Sequence, residues 1–413
     1  MRHKNELFFV GYLFCFGFTM FLNAVAPEAT FIVRALVAIT AIMMSSFPTI
    51  RVNVYLLTYV WLVFVIFFLE MAFRPNTLTS AYFYNFIING AIPVYLLMQL
   101  DNMKMVLKYF TSFSVPLFLI YMLDPFFNYA LTFDYMTFGF EVALPSFCGF
   151  HIGRKVFGYR WMIIPEVLSI ISLFIFSNRG ALLAALAFAF LLAIIDDSSQ
   201  PTKILRFGAI IVIIAVVFIN AVPIIDFILK QIAKWNYYSY SLHAFRNMLV
   251  SGVSKGLAGR DMLWSNAWEY FKASPLLGNG VGSFTDHYGN YPHNLILDIL
   301  TSFGIIGFLV FLLTWLRPIS LMFTSHYSLR VFLALVCCLS FVPLLTSSVL
   351  NPFITEVTTM RVATPSAMPV RVSAVASAGG GDGATTATDE AAIASAATSA
   401  ARRVRVRDMV PPQ

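Results

Sequence analysis

Long apolar runs dominate this chain and alternate with short polar segments. A helix that spans a bilayer needs about 20 mainly apolar residues. The sixth run, residues 134–150, is short and could instead form a re-entrant segment. The pattern predicts an all-α, polytopic integral membrane protein with one large outer-face loop and about eleven transmembrane helices, near residues 7–26, 29–47, 54–73, 81–99, 106–123, 134–150, 161–177, 180–195, 204–229, 294–316 and 329–350.

The first apolar run is similar to a secretory signal peptide, because Ala24, Val25 and Ala26 offer a small-residue cleavage pattern. The run is long for a signal peptide and many spans follow it. These features favour an uncleaved first helix.

Lysine and arginine residues in short loops predict the orientation. If the N-terminus is cytoplasmic, nearly all of them fall on the cytoplasmic side, and the opposite short loops carry little beyond Arg74 and Arg179. This topology places residues 230–293 outside, together with Arg179.

The chain divides by composition into four predicted regions. Residues 1–229 form a membrane bundle with Arg179 at its outer face, and residues 230–293 form an external catalytic loop. Residues 294–353 hold the C-terminal transmembrane helices. Residues 354–413 contain no lysine, leucine or aromatic residue, and this composition predicts a disordered tail.

Two helices are predicted within the external loop. Residues 235–250 are rich in tyrosine and tryptophan, which favour the membrane interface. Residues 260–273 place Leu263, Trp264, Ala267 and Phe271 on one helical face.

Composition agrees with a membrane protein, since 59% of the 413 residues are hydrophobic and only 11% are charged. Soluble domains are about a quarter charged. The net charge of +7 does not indicate a nucleic-acid partner, because the basic residues lie in short loops. The four cysteines lie in apolar runs without metal-ligand spacing, so packing roles are expected.

Arg179 and Arg260 are the candidate anion-binding residues. A cation beside a membrane span is costly and usually functional, and arginine matches phosphate oxygens with a fork of donors. Arg179 could instead extend to the interface, and Arg260 could form a surface ion pair with Asp261 or Glu269. Glu70, Glu141 and Glu166 are possible buried acids.

A glycine loop and a histidine follow the second arginine. Gly278, Gly280 and Gly282 come after Pro275, and closely spaced glycines let backbone N–H groups approach an anion. A flexible turn is the simpler interpretation. His293 precedes Asn294 at the predicted outer mouth of a span, and a neutral imidazole suits a general base. His293 could instead cap the helix, and His287 is an alternative base.

These motifs together resemble the O-antigen ligase and polymerase superfamily. The resemblance rests on an ordered series of elements between about residues 177 and 313. The series comprises Ser177-Asn178-Arg179-Gly180, Gly259-Arg260, Trp264, Pro275 to Gly282, His293-Asn294 and Gly304 to Gly307.

The resemblance implies a metal-independent glycosyltransferase, without a cofactor, at the bacterial inner membrane with its active site on the outer face. Its donor would be a glycan linked to bactoprenol (undecaprenyl) diphosphate. Catalysis would use His293, Arg260 and Arg179. Substrate would also contact Gly278, Gly280, Gly282, Asn294 and Trp264. Membrane lipid and a chain-length regulator are further expected partners. Family members usually have about twelve spans, and the polar tail here departs from that pattern.

The acceptor is left open. A polymerase would join one lipid-linked glycan to another, whereas a ligase would transfer the finished glycan to the lipid A core. Residues 134–140 resemble an element of exopolysaccharide and capsule polymerases, which slightly favours a polymerase. A transporter of a polyprenyl lipid or solute is the remote alternative, because no internal repeat is present.

Overall fold

The computed structural model describes residues 3–45, 54–74, 78–122, 135–177, 179–196, 208, 219–234, 238–252 and 260–341. All of them belong to the first of two units into which the chain divides, Met1–Arg361. The predicted tail at 354–413 and most of the predicted span at 204–229 lie outside the described residues.

Every regular element in the described ranges is a helix, which confirms the predicted all-α class. Three π-helical turns interrupt the α-helices, at Ile87–Ala91, Phe138–Ala143 and Cys337–Phe341, and a 3₁₀ turn lies at Arg160–Met162. The α-helices are α1 (Lys4–Phe18), α2 (Met20–Val25), α3 (Pro27–Ser45), α4 (Val54–Phe73), α5 (Thr79–Phe86), α6 (Ile92–Met98), α7 (Met103–Tyr121), α8 (Tyr135–Thr137), α9 (Leu144–Lys155), α10 (Ile163–Phe176), α11 (Arg179–Ile195), α12 (Ala221–Ala233), α13 (Tyr240–Ser251), α14 (Arg260–Ala273), α15 (Ser283–Tyr288), α16 (Leu295–Thr324) and α17 (Tyr327–Val336).

Three described helices are long and apolar enough to cross a membrane, namely α3, α7 and α16. Shorter apolar helical segments lie at Val60–Phe73, Tyr82–Met98, Arg179–Ile195 and Tyr327–Ser340. The structure therefore supports a membrane protein, while the predicted number of eleven spans remains a prediction.

The first predicted span is divided at Thr19, where α1 ends and α2 begins. The Thr19 hydroxyl donates to the Cys15 carbonyl at 2.8 Å and accepts a hydrogen bond from Arg34 Nε, also at 2.8 Å. The Arg34 guanidinium also lies 4.8 Å from the centroid of the Phe16 ring. The break thus supplies a polar partner for an arginine inside an apolar helix, where an unpaired charge would be costly.

Close contact between α7 and α9 forms part of the central core. A Cβ atom at Gly149 would overlap with the Ser114 side chain, so only glycine allows this approach. Thr111 donates its hydroxyl to the Gly149 carbonyl at 3.2 Å. Small residues and hydroxyl hydrogen bonds of this kind hold helices together where lipid removes the hydrophobic driving force.

Contacts between distant segments agree with the predicted sidedness. Glu6 Oε1 accepts from the Asn102 amide at 2.9 Å, and both segments are assigned to the cytoplasmic side. Ser239 donates its hydroxyl to the Ile175 carbonyl at 2.7 Å, and both are assigned to the outer side. Each of these contacts joins two segments that the predicted topology assigns to the same side.

Candidate functional site

Helix α14 presents one face to the protein interior. Its bounds, Arg260–Ala273, confirm the helix predicted at 260–273. Ala267 and Phe271 are buried, and Arg260 and Trp264 continue the same stripe toward the start of the helix, at i−7 and i−3 from Ala267. Both are partly buried, and α14 packs along α16. Arg260 therefore lies on the side of α14 that faces the beginning of α16.

The outward faces of α14 form a different environment. Glu269 pairs with Lys272 at 2.7 Å, and both side chains are more than half exposed. Glu269 was one of the alternative ion-pair partners of Arg260, and it is held by this exposed lysine. The Nε1 atom of Trp264 is buried and has no hydrogen-bond partner among the described residues. That donor points to a role beyond packing.

The glycine loop after α14 fills a break in helix α16. At Gly304 the backbone leaves the helical conformation, with φ 64° and ψ −164°. Backbone hydrogen bonds that a continuous helix would form internally go to the loop instead. They run from Ile305 N to Pro275 O (2.9 Å), from Ile306 N to Leu276 O (3.2 Å), from Asn279 N to Thr301 O (2.8 Å) and from Gly280 N to Ser302 O (3.0 Å). The loop thereby satisfies the peptide groups at the break, as an apolar environment requires.

The three loop glycines are needed for this insertion. Gly278, Gly280 and Gly282 have φ values of 70°, 104° and 74°, which side chains other than glycine rarely adopt. The Gly278 amide donates to Ser274 O, and the Gly280 amide donates to α16. Both amides are thus engaged within the protein, and the expectation that the loop contacts substrate stays a prediction. These two glycines shape the site.

Exposed apolar side chains are concentrated after Gly304. Before it, Leu295, Asp298 and Thr301 are at most 5% exposed, and Ile296 is 40% exposed. After it, apolar side chains at 305, 306, 309, 310, 312, 313, 316, 319, 321 and 323 are between 36% and 64% exposed. Residues 305–324 would be about 30 Å long at 1.5 Å per residue, which matches the hydrocarbon core of a bilayer. A span at 305–324 is thus an alternative to the predicted span at 294–316, which stays a prediction.

His293 occupies a strained position immediately before α16. Its φ of 53° is the one positive value of a non-glycine residue in the described ranges. Its ring lies 3.9 Å from the ring centroid of Tyr291. The next residue, Asn294, caps the helix by accepting from the amides of Ile296 (3.0 Å) and Leu297 (3.3 Å). Asn294 rather than His293 is thus the cap, and strain of this kind often marks functional sites.

The environment of His293 keeps its imidazole neutral. Burial of the ring, followed by the nearby positive charge of Arg260, lowers the pKa of His293 from 6.5 to about 4. Its Nδ1 atom is buried without a hydrogen-bond partner in the described part of the chain. The structure therefore brings Arg260 and His293 together, with the histidine ready to accept a proton at neutral pH.

His287 lies in a more exposed position on the short helix α15. Its ring stacks on Tyr270 with 5.5 Å between centroids and meets Tyr288 edge-on at 4.6 Å. These contacts hold His287 on the surface of α14. The two histidines therefore differ in burial and in their relation to Arg260.

Arg179 begins helix α11 and lies against α13. Its Nη1 atom is 3.8 Å from the Met248 sulfur. Helix α13 is fixed nearby because Ser239 binds the Ile175 carbonyl and Arg246 pairs with Asp226 of α12. Arg179 thus lies at the contact of α11 and α13, whereas Arg260 and His293 lie at that of α14 and α16.

Glu70, in the last turn of α4, and Arg74, directly after α4, also contact the glycine loop. Arg74 Nη1 donates to the Gly278 carbonyl at 3.0 Å, and Glu70 Oε2 accepts from the Val281 amide at 3.3 Å. Sequence patterns marked Glu70 as a possible buried acid and Arg74 as an outer cation. Their i, i+4 spacing was the available signal, but nothing in the sequence connected them to Gly280 and its neighbours.

Comparison with known proteins agrees with this arrangement. Residues 166–312 match the family model described as O-Antigen ligase, and they include all of the candidate catalytic and substrate-binding residues that the sequence predicts. No curated protein and no solved structure matches the chain. The family match supports a membrane location and an enzymatic role of the ligase or polymerase type. The match therefore supports, for residues 166–312, the resemblance to the O-antigen ligase and polymerase superfamily.

Proposed function

We propose that this protein is a membrane glycosyltransferase that transfers a glycan from a bactoprenol diphosphate donor to a sugar hydroxyl. The reaction would take place on the outer face of the bacterial inner membrane. The observation that carries the proposal is the joint placement of Arg260 and a half-buried, neutral His293 within the matched domain. A cation beside an unprotonated base suits a reaction that releases a diphosphate and deprotonates a hydroxyl.

In this mechanism His293 takes the proton of the acceptor hydroxyl as its oxygen attacks the anomeric carbon. The bond from that carbon to the diphosphate oxygen breaks in the same displacement, and the configuration at the carbon inverts. A base with a pKa of about 4 acts best late in the step, when bond formation has made the hydroxyl acidic.

Arg260 and Arg179 would stabilise the charge that develops on the leaving diphosphate. Preorganised donors at such positions are worth about 2.7–4 kcal/mol of barrier each. Trp264 would offer its Nε1 donor and ring to the donor sugar. This mechanism needs no metal ion or cofactor.

Polymerisation of oligosaccharide repeat units is the first form of this proposal. Its support is a contact between residues 134–140, which resemble an element of polymerases, and the segment Ser177 to Gly180, which contains Arg179. A Cβ atom at Gly139 would lie 2.6 Å from the Ser177 hydroxyl, so the two elements pack directly together. Transfer of a finished glycan to the lipid A core is the second form, and the description of the matched family favours it.

The test uses purified protein in liposomes with a bactoprenol-diphosphate-linked repeat unit, with and without a lipid A core acceptor. A ladder from donor alone supports polymerisation, and a single product that requires the core supports ligation. Arg260→Ala should lower the yield of either product by about 100- to 1,000-fold. Lys272→Ala is the matched control, because it removes an exposed cation from the same helix. Transport of donor without a new glycosidic bond would contradict the proposal.

A further inference from the structure

We propose that Glu70 of α4 and Arg74, which directly follows α4, are positioning residues that hold the glycine loop and thereby set the approach of Arg260 to His293. The proposal rests on the proposed function for its kinetic part. Neither residue lies in the matched domain, since both precede residue 166. They extend the site to a helix from the N-terminal half of the chain.

The contacts of Glu70 and Arg74 are specific. Glu70 Oε2 accepts from Val281 N at 3.3 Å, while Glu70 Oε1 lies 3.9 Å from Arg74 Nη1. Arg74 Nη1 donates to the Gly278 carbonyl at 3.0 Å. The pair therefore binds one donor and one acceptor of the same loop. Charged partners make such hydrogen bonds stronger than neutral ones.

Gly280 fits this arrangement closely. A Cβ atom there would lie 2.8 Å from Glu70 Oε2 and 3.5 Å from Arg74 Cδ. The absence of a side chain at position 280 thus allows the carboxylate to reach the backbone of the loop. Gly280 is therefore needed both for the positive φ of the turn and for the close approach of Glu70.

Apolar contacts also hold the glycine loop against α4. Phe67 and Tyr82 are buried together with Val281, and Phe303 packs against this cluster. Phe67 belongs to α4, Tyr82 to α5 and Phe303 to the segment that precedes the break in α16. The loop is consequently enclosed between α4 and α5 on one side and α16 on the other.

The glycine loop also connects the helices that carry Arg260 and His293. Arg260 lies on α14, which leads into the loop, and His293 lies directly before α16, which hydrogen-bonds to the loop around Gly304. If the contact with α4 is lost, the loop can move relative to α16. A misplacement of about 1 Å can cost about 100-fold in rate.

The experiment compares Glu70→Ala, Glu70→Gln and Arg74→Ala with the wild-type protein and with Glu28→Ala. Glu28 is an exposed carboxylate at the start of α3 and serves as the matched control. Hydrogen exchange of the loop at residues 274–282 is measured first, because it does not depend on catalysis. We expect about tenfold faster exchange in Glu70→Ala and Arg74→Ala, and little change in Glu70→Gln, which keeps an oxygen acceptor.

Measurements of kcat, KM and the pH profile then test whether Glu70 positions the catalytic residues. In Glu70→Ala we expect kcat for glycan transfer to fall by about 10- to 100-fold, with KM for the donor within about threefold of wild type. The acidic limb of the pH profile should move to higher pH, because a loosened glycine loop separates Arg260 from His293. Unchanged exchange would overturn the proposal, and so would faster exchange with unchanged kcat and an unchanged limb.

Failure of the proposed function has a different signature. In that case the wild-type protein transfers no glycan, while the exchange differences still report the contact. If Glu70→Ala does not insert stably, Arg74→Ala carries the exchange and kinetic tests. If Glu70→Ala does insert, the double variant with Gly280→Ala provides a second test. Removing the carboxylate should lessen the effect of the added methyl group, so the two changes should be non-additive. Additive effects would contradict the contact.

Discussion

The charge of Arg260 acts on the imidazole of His293, although a helix, a glycine loop and a second short helix separate the two residues in the chain. Three features create this relationship. Arg260 extends the inward stripe of α14, the loop inserts into the break at Gly304, and Asn294 fixes the start of α16. Each feature can be altered independently, which gives the site several separate tests.

The pH dependence of transfer should report this charge. His293 can act as a base only when unprotonated, so kcat/KM should fall about tenfold per pH unit below about 4 and stay flat from 5 to 7. In Arg260→Ala, residual activity should show an acidic limb shifted upward but still below 6.5, since burial remains. A pH–rate profile of both proteins measures the shift. A wild-type limb near 6.5 would contradict the role of this histidine.

Replacement of the two histidines should have unequal effects. His293→Ala removes the half-buried base and should lower kcat by about 10²–10⁴-fold. His287→Ala removes a surface ring that stacks on Tyr270 and should retain most of the activity. Transfer assays with equal amounts of inserted protein give the comparison. Loss of activity in His287→Ala with full activity in His293→Ala would move the base to His287.

Replacement of Arg179 tests whether the second cation serves the same reaction. Arg179→Ala should lower kcat by about 100- to 1,000-fold, the cost of removing one preorganised donor. Met248→Leu is the matched control, because it alters the contacting side chain and keeps the arginine. Transfer is measured after normal insertion has been verified. Full activity in Arg179→Ala would leave Arg260 as the only diphosphate ligand of the proposal.

Local patterns predicted the elements of the site, and contacts distant in sequence determined its assembly. The spacing of Trp264, Ala267 and Phe271, followed by Pro275, was enough to place α14. The break at Gly304 could not be predicted in the same way, because isolated glycines are tolerated within apolar helices. Its conformation depends on hydrogen bonds to the loop.

The contact of Glu70 and Arg74 with the glycine loop could not be predicted from local sequence patterns for a similar reason. Glu70 has the same i, i+4 relation to Arg74 that an ordinary helical ion pair would have. Only the fold shows that the pair binds the backbone at Gly278 and Val281. The predicted division at residues 229 and 293 also remains a prediction.

Gly304 should be far less tolerant of substitution than another glycine with positive φ. Its φ and ψ fall in a region essentially restricted to glycine, and a Cβ atom would overlap with the Leu276 carbonyl oxygen. Gly289 has φ 70° with nothing within 4 Å of a Cβ atom, so it is the matched control. Gly304→Ala should lower thermal stability in detergent well beyond Gly289→Ala, and should lower activity at least about tenfold. Equal effects would show that the break does not require the glycine.

The membrane boundary of α16 provides the last test. If the span begins after Gly304, Ile306 lies near the outer interface and Leu313 lies near the midplane. If it begins at residue 294, Ile306 lies about 18 Å along the helix, near the midplane. Both side chains are at least half exposed, so protein burial does not hide either position.

Single cysteines at these two positions can therefore be compared with a membrane-impermeant maleimide added from outside. The unmodified protein gives the background from its native cysteines. Ile306→Cys should react at least about tenfold faster than Leu313→Cys. Protection of both positions would place the span at 294–316 and would leave residues 295–303 inside the membrane.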